Sequence, residues 1–380
     1  MICKEKGADL DAPSGRRRSS LKEQDDCWER RRTMLYLSFL AYSGFDTTFR
    51  RGRNAQLVYR EIRNLLAYYA PLRRWELVWG PTTFWFGRYA DNLVYVVRDR
   101  ETAGSRRSRY VVVIRGTNPI SLSNWVLEDF LVVPQVSWPY RKWDGVLDPR
   151  LSLSTWLGLQ VVQRLRPKAG VPGESRSLKE FFIEILRDQP RGEVDLCVTG
   201  HSLGGTLSAA LTLWLRDTQG RRRVKKQELW DPERRVRLST VPIAGPTPGN
   251  EDFARWFDER LGDRCDRLWN DKDLATMVWD AEQLKKLPSF YGPDTPLPRL
   301  VEWLLPLLCW AMRSRKYSQI CADAAPLPRS HQEPCPMVSF LGRATWEHVV
   351  PYFTALDEAS SAGPEQVSPF FMGQRGRSLF

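Results

Sequence analysis

Apolar positions that recur at three and four residues predict helices at Met34–Tyr42, Leu57–Tyr69, Leu151–Leu165, Ser177–Arg187, Leu203–Leu215, Asn250–Leu261 and Trp346–Leu356. Shorter apolar runs predict strands at Trp75–Trp79, Leu93–Val97, Tyr110–Ile114, Val194–Thr199, Leu238–Ile243 and Asp266–Trp269. The run Tyr110-Val-Val-Val-Ile114 has no polar position, which suits a strand buried on both faces of a parallel sheet. Strands that alternate with helices in this way predict an α/β protein, with a mainly parallel central sheet covered by helices on both faces.

The pattern weakens at three places. Residues 1–28 are polar and charged and read as a disordered arm, and residues 361–380 as a flexible tail, leaving one domain over 29–360. Within that domain, about residues 288–336 are dense in proline and poorly periodic outside Leu300–Met312. This stretch reads as a cap insertion rather than sheet. No internal repeat is evident.

Composition then narrows the class. A chain of 380 residues with 42% hydrophobic and 12% aromatic residues has the means to bury a large core. Its 16 tryptophans suit core packing and, equally, an apolar working surface. The formal charge of +12 favours anionic partners. The clusters Arg16-Arg17-Arg18, Arg30-Arg31-Arg32 and Arg221–Lys226 read as solvated runs, and nucleic-acid binding would rest on charge alone, with no recognisable motif. No secretory signal follows the start, and the longest apolar run, Leu304–Met312, is far short of the ~20 residues needed to cross a bilayer. The expectation is a cytoplasmic protein with peripheral membrane contact. Seven scattered cysteines without a CxxC pair suit free thiols, and they give no reason to expect a metal or cofactor.

The chemistry centres on Val198-Thr-Gly-His-Ser-Leu-Gly-Gly205, where a predicted strand gives way to a predicted helix. Glycines two before and two after Ser202 allow a tight turn that lifts the serine hydroxyl above the sheet. The Leu203 N–H, at the start of the following helix, is then placed to stabilise an oxyanion. The chain has three histidines to serve as base: His201 beside the serine, His331 in the proline-rich stretch, and His348 at a predicted helix.

Together with this elbow, Ile114-Arg-Gly-Thr117, Ala244–Ala254 and Arg267-Leu-Trp-Asn270-Asp-Lys-Asp273 resemble the class 3 lipase family of the fungal triacylglycerol lipase type. The likeness runs over about residues 105–280 and is weaker around His348. It implies an α/β-hydrolase fold and a Ser-Asp-His triad that cleaves carboxylic esters of lipids, either acylglycerols or phospholipids. Triad order puts the acid after Ser202, and the family's asparagine-to-aspartate spacing selects Asp273 over Asp271. By the same resemblance His348, followed by Tyr352, is the base in preference to His331 and His201, and Thr117 joins Leu203 in the oxyanion hole. The segment with Ile120, Leu122, Trp125, Val126 and Phe130 stands where the family carries an amphipathic lid, although a buried helix edge has the same pattern. Two departures are Glu128, which stands where the family's Asn-Trp-x-x-Asp spacing has the aspartate, with Asp129 one residue later, and Trp143-Asp144, where the family usually has a histidine before glycine.

Overall fold

The computed structural model describes residues 14–43, 55–86, 89–116, 133–140, 145–189, 191–220, 229–328, 337 and 339–358, with side chains from residue 25 onward except at 84–92. The main sheet has five strands in the order β1 (Trp75–Phe86), β2 (Tyr89–Asp99), β3 (Arg107–Ile114), β6 (Glu193–His201) and β7 (Val236–Ile243). β1, β2 and β3 pair antiparallel, whereas β3, β6 and β7 pair parallel, so the sheet is mixed rather than mainly parallel. The long β1–β2 hairpin accounts for the difference: strands joined directly can only return antiparallel. Asp266–Trp269 does not form a full strand, but parallel bridges join Thr240 to Cys265 and Ile243 to Leu268 along the β7 edge. A smaller sheet holds β4 (Gln135–Ser137), β5 (Arg150–Ser152), β8 (Gly249–Asn250) and β9 (Tyr317–Ser318).

Side-chain alternation along the buried strands builds two cores. Tyr110, Val112 and Ile114 of β3, with Leu196 and Val198 of β6, face one side. There they pack under α3 (Leu153–Arg164), α4 (Leu178–Asp188), α5 (Leu203–Asp217) and α6 (Glu251–Leu261). Val111 and Val113 face the other side and meet α1 (Ser14–Leu40), α2 (Ala55–Tyr68) and α9 (Phe340–Glu358). Every residue of α5 from Gly204 to Leu215 is buried, because this helix lies between the sheet and the outer helices. Its start is therefore held on both sides. Among the described residues the remaining α-helices are the short α7 (Ala281–Leu284) and α8 (Arg299–Arg313), which belong to a third cluster with Leu274, Tyr291 and Phe340.

Four expectations change. The boundary at residue 28 falls inside α1, which starts at Ser14, and Trp28 is already buried. The Arg30-Arg31-Arg32 run is not a solvated face: Arg31 forms a two-pronged bond to Asp266, at 2.8–3.2 Å, and Arg32 bonds Asp357 at 2.9 Å, all four being buried. A charge run in sequence cannot reveal that carboxylates more than two hundred residues away fold against it. The proline-rich stretch is not wholly separate from sheet, since β9 pairs with β8. Lastly, Cys27 is disulfide-bonded, while Cys197, Cys265, Cys309 and Cys321 are free thiols. Residues 1–13, 359–380 and the Arg221–Lys226 run lie outside the described residues.

Candidate active site

Strand register brings the site together at the carboxyl end of the parallel strands. Ile114 stands opposite Gly200, and His201 opposite Ile243, so the chain leaving β3 runs beside the turn that follows β6. At that turn Ser202 has φ 60° and ψ −131°, a conformation costly for a residue with a side chain, and its N–H bonds Ile243 O at 3.0 Å. The flanking glycines have a steric reason. A Cβ on Gly204 would lie 2.1 Å from Ile114 O, and one on Gly200 2.4 Å from the same atom. Gly116 is also pressed close, its missing Cβ falling 2.6 Å from His201 O and 3.0 Å from both Leu203 N and the Ser202 Cβ. Leu203 opens α5, where an N–H has no acceptor within its own helix. Thr117 follows Gly116 directly but lies outside the described residues, as do His331, the Ile120–Phe130 segment, Trp143 and Asp144.

Asp273 and His348 meet from distant parts of the chain. Asp273 caps a short turn, accepting the Ala275 N–H at 2.9 Å, and both its oxygens lie within 2.9–3.0 Å of His348 Nδ1. Both side chains are buried. A carboxylate only accepts, so Nδ1 carries a proton, and in the neutral imidazole Nε2 has the lone pair. Among the described residues Nε2 has no hydrogen-bond partner, and Ser202 is not bonded to it in this structure. Bonds of this kind are often long until substrate arrives.

Three further side chains brace the pair. Tyr352, one helical turn after His348, donates its hydroxyl to Asp273 at 2.7 Å and accepts the Asn270 N–H at 3.1 Å. Burial and the Asp273 charge push its phenol well up, so it stays protonated and remains a donor. The Asn270 amide donates to the Glu347 carbonyl and carboxylate, both at 3.0 Å, tying the Asp273 turn to the helix that carries His348. Tyr352 entered the sequence analysis only through the family resemblance around His348, and the Asn270–Glu347 tie left no signal there.

His201, next to the serine, does not bond Asp273. Its Nε2 meets the His348 backbone carbonyl at 2.8 Å, so Nε2 donates and Nδ1 is left to accept from the Tyr42 hydroxyl at 3.3 Å. The two imidazoles stand 4.5 Å apart. Burial, and to a lesser degree His348, holds the His201 pKa well below that of an ordinary histidine. The fold therefore contains it neutral, while the unfolded chain takes up a proton near pH ~6.5. Above that pH its contribution to stability is complete; as pH falls below it, stability is lost, by at most ~1.4 kcal/mol per pH unit from this one group. Urea unfolding between about pH 7 and pH 5 is expected to give a shallower pH slope for His201→Gln than for the parent. Equal slopes would contradict a neutral, buried His201.

The fold and the elbow are those of an α/β-hydrolase of the lipase kind. The family described as Lipase (class 3) matches residues 111–281. The crystal structure of M37 lipase superposes with a TM-score of 0.74 at 34% identity, over 85% of this chain and 92% of that one. Phospholipase A1-Igamma1, chloroplastic, of Arabidopsis thaliana is 26% identical over 211 residues, which are 53% of this chain. The matched stretch is 37% of that relative's length. The chain belongs to the class 3 lipase family of carboxylic ester hydrolases.

Proposed function

We propose that the protein cleaves acyl esters of glycerolipids at a lipid surface through an acyl-enzyme on Ser202, with Asp273 and His348 completing the triad. The observation that carries this reading is the buried His348 Nδ1–Asp273 contact of 2.9 Å, which leaves the Nε2 lone pair as a base beside a strained serine elbow. His348 takes the Ser202 proton as Oγ attacks the ester carbonyl. Asp273 holds the imidazole tautomer and offsets the positive charge that develops on it. The Leu203 N–H, joined by Thr117, faces the oxyanion of the tetrahedral intermediate. Its collapse expels the alcohol, protonated by His348, and water then releases the fatty acid by the same steps in reverse order of roles.

The net charge of +12 supports anionic phospholipid surfaces as the setting, and a relative named as a phospholipase A1 points the same way. The test compares short monomeric esters with emulsified diacylglycerol and with phospholipid vesicles, following fatty acid release. Hydrolysis of at least one aggregated lipid is expected, with Ser202→Ala as the blank. Turnover confined to monomeric esters would remove the lipid surface from this reading.

A further inference from the structure

The helix α8 shows two opposite faces. Leu305 and Met312 are buried in the cluster that also holds Leu274, next to Asp273, and Phe340 and Ala344 of the helix that carries His348. Val133, the first described residue after the 117–132 stretch, packs against the same cluster. α8 thus shares a hydrophobic cluster with the residue after Asp273 and with the helix that carries His348. Its other face is exposed: Leu300 is 55% accessible, Trp303 77%, Leu307 58% and Trp310 75%. Their spacing of three, four and three residues makes one stripe opposite the buried face. Four of the ten large apolar side chains exposed among the described residues lie on this one helix. Such concentration marks an interaction surface rather than the usual scatter.

Charge identifies the occupant. Arg299 and Arg313 are exposed at the two ends of the stripe, and Lys316 follows the helix. Lys285 and Lys286 extend from α7, which packs against α8. Within residues 281–316 the basic residues Lys285, Lys286, Arg299, Arg313, Arg315 and Lys316 number six, against three acids, Glu282, Asp294 and Glu302. A helix with an apolar face containing tryptophan and basic flanks fits the boundary between headgroups and acyl chains of an anionic bilayer. A second protein copy would gain nothing from a basic rim repeated on both sides.

We propose that the outer face of α8 docks the protein onto anionic phospholipid bilayers, with Trp303 and Trp310 as the inserted anchors. This rests on reading the site as a lipid hydrolase, and it puts the contact on a helix beside the site. Bilayer contact at α8 presents lipid to the end of the sheet where Ser202 stands.

Binding is tested by vesicle co-flotation in the Ser202→Ala background, so that lipid is not consumed. Vesicles are of phosphatidylcholine alone and of phosphatidylcholine with about a third phosphatidylglycerol. The parent background is expected to bind the anionic vesicles, and Trp303→Gln with Trp310→Gln to lower the partition coefficient about 10-fold to 100-fold. Arg299→Glu with Arg313→Glu is expected to weaken binding to anionic vesicles, with little effect on neutral ones. With Ser202 intact, both double variants keep the parent's turnover of a short soluble ester, showing that fold and site are undisturbed. Unchanged vesicle binding in the tryptophan variant overturns the proposal. So does a parent that fails to bind, or a parent dimer that the tryptophan variant converts to monomer in size-exclusion chromatography. Vesicle binding without any ester turnover in the parent would instead sink the lipase reading and leave the docking face standing.

Discussion

On the proposed triad, Ser202→Ala is expected to lower turnover of a short soluble ester by about 10⁵-fold to 10⁶-fold, and His348→Ala to do the same. The two losses do not add. Once either the nucleophile or its base is missing, the covalent route is closed, and what remains is the small acceleration from oxyanion donors and substrate binding. A double variant is therefore expected to be no slower than either single one, measured as kcat/KM on the same ester. Substrate affinity in an inhibitor-binding assay should change little, because neither side chain is required to hold the acyl chain. A His348→Ala protein with parental turnover would remove this histidine from the mechanism, leaving His331 to be tried next.

Asp273→Asn comes second, at about 10⁴-fold. The carboxylate accepts from His348 Nδ1 and from the Tyr352 hydroxyl, and both bonds require an acceptor. An amide at this position turns an N–H toward Nδ1 in place of one oxygen, which favours the tautomer protonated on Nε2. The base then has its proton on the wrong nitrogen. Because the Asn side chain has the same shape and its one oxygen still accepts either from the Tyr352 hydroxyl or from the Ala275 N–H, which bond different oxygens of Asp273, the fold is expected to be kept. Near-parental unfolding with loss of turnover is the expected pair of results. Asp271→Asn, by contrast, is expected to retain turnover, since His348 bonds Asp273.

The parts of this site that are local in sequence were legible there. Gly200, Ser202 and Gly204 predict an elbow because a tight strand-to-helix turn has few solutions, and the structure gives a φ of 60° at the serine and backbone oxygens where glycine side chains would be. Helices with a clear apolar face were readable to within a few residues, as at Leu178–Asp188 and Glu251–Leu261, each of which also begins with a side-chain cap at Ser177 or Asn250. Contacts between remote segments were not legible. Periodicity is blind to what remote segments bring against a helix, so Arg31 and Arg32 read as solvated when they are buried against Asp266 and Asp357. The same blindness hid the Asn270–Glu347 tie and the bond from His201 to the His348 carbonyl. The mixed sheet escaped for another reason: β1 and β2 have the composition of buried strands, and composition does not tell a hairpin from a crossover.

The central claim is that Ser202 is the nucleophile, and covalent labelling tests it most directly. The folded protein is incubated with a fluorophosphonate ester, digested, and examined by mass spectrometry. One phosphonyl adduct is expected per chain, on Ser202 in the peptide that contains Gly-His-Ser-Leu-Gly-Gly, lost in Ser202→Ala and strongly slowed in His348→Ala. A folded parent that takes up no adduct at Ser202, or takes it up equally fast without His348, would contradict the account.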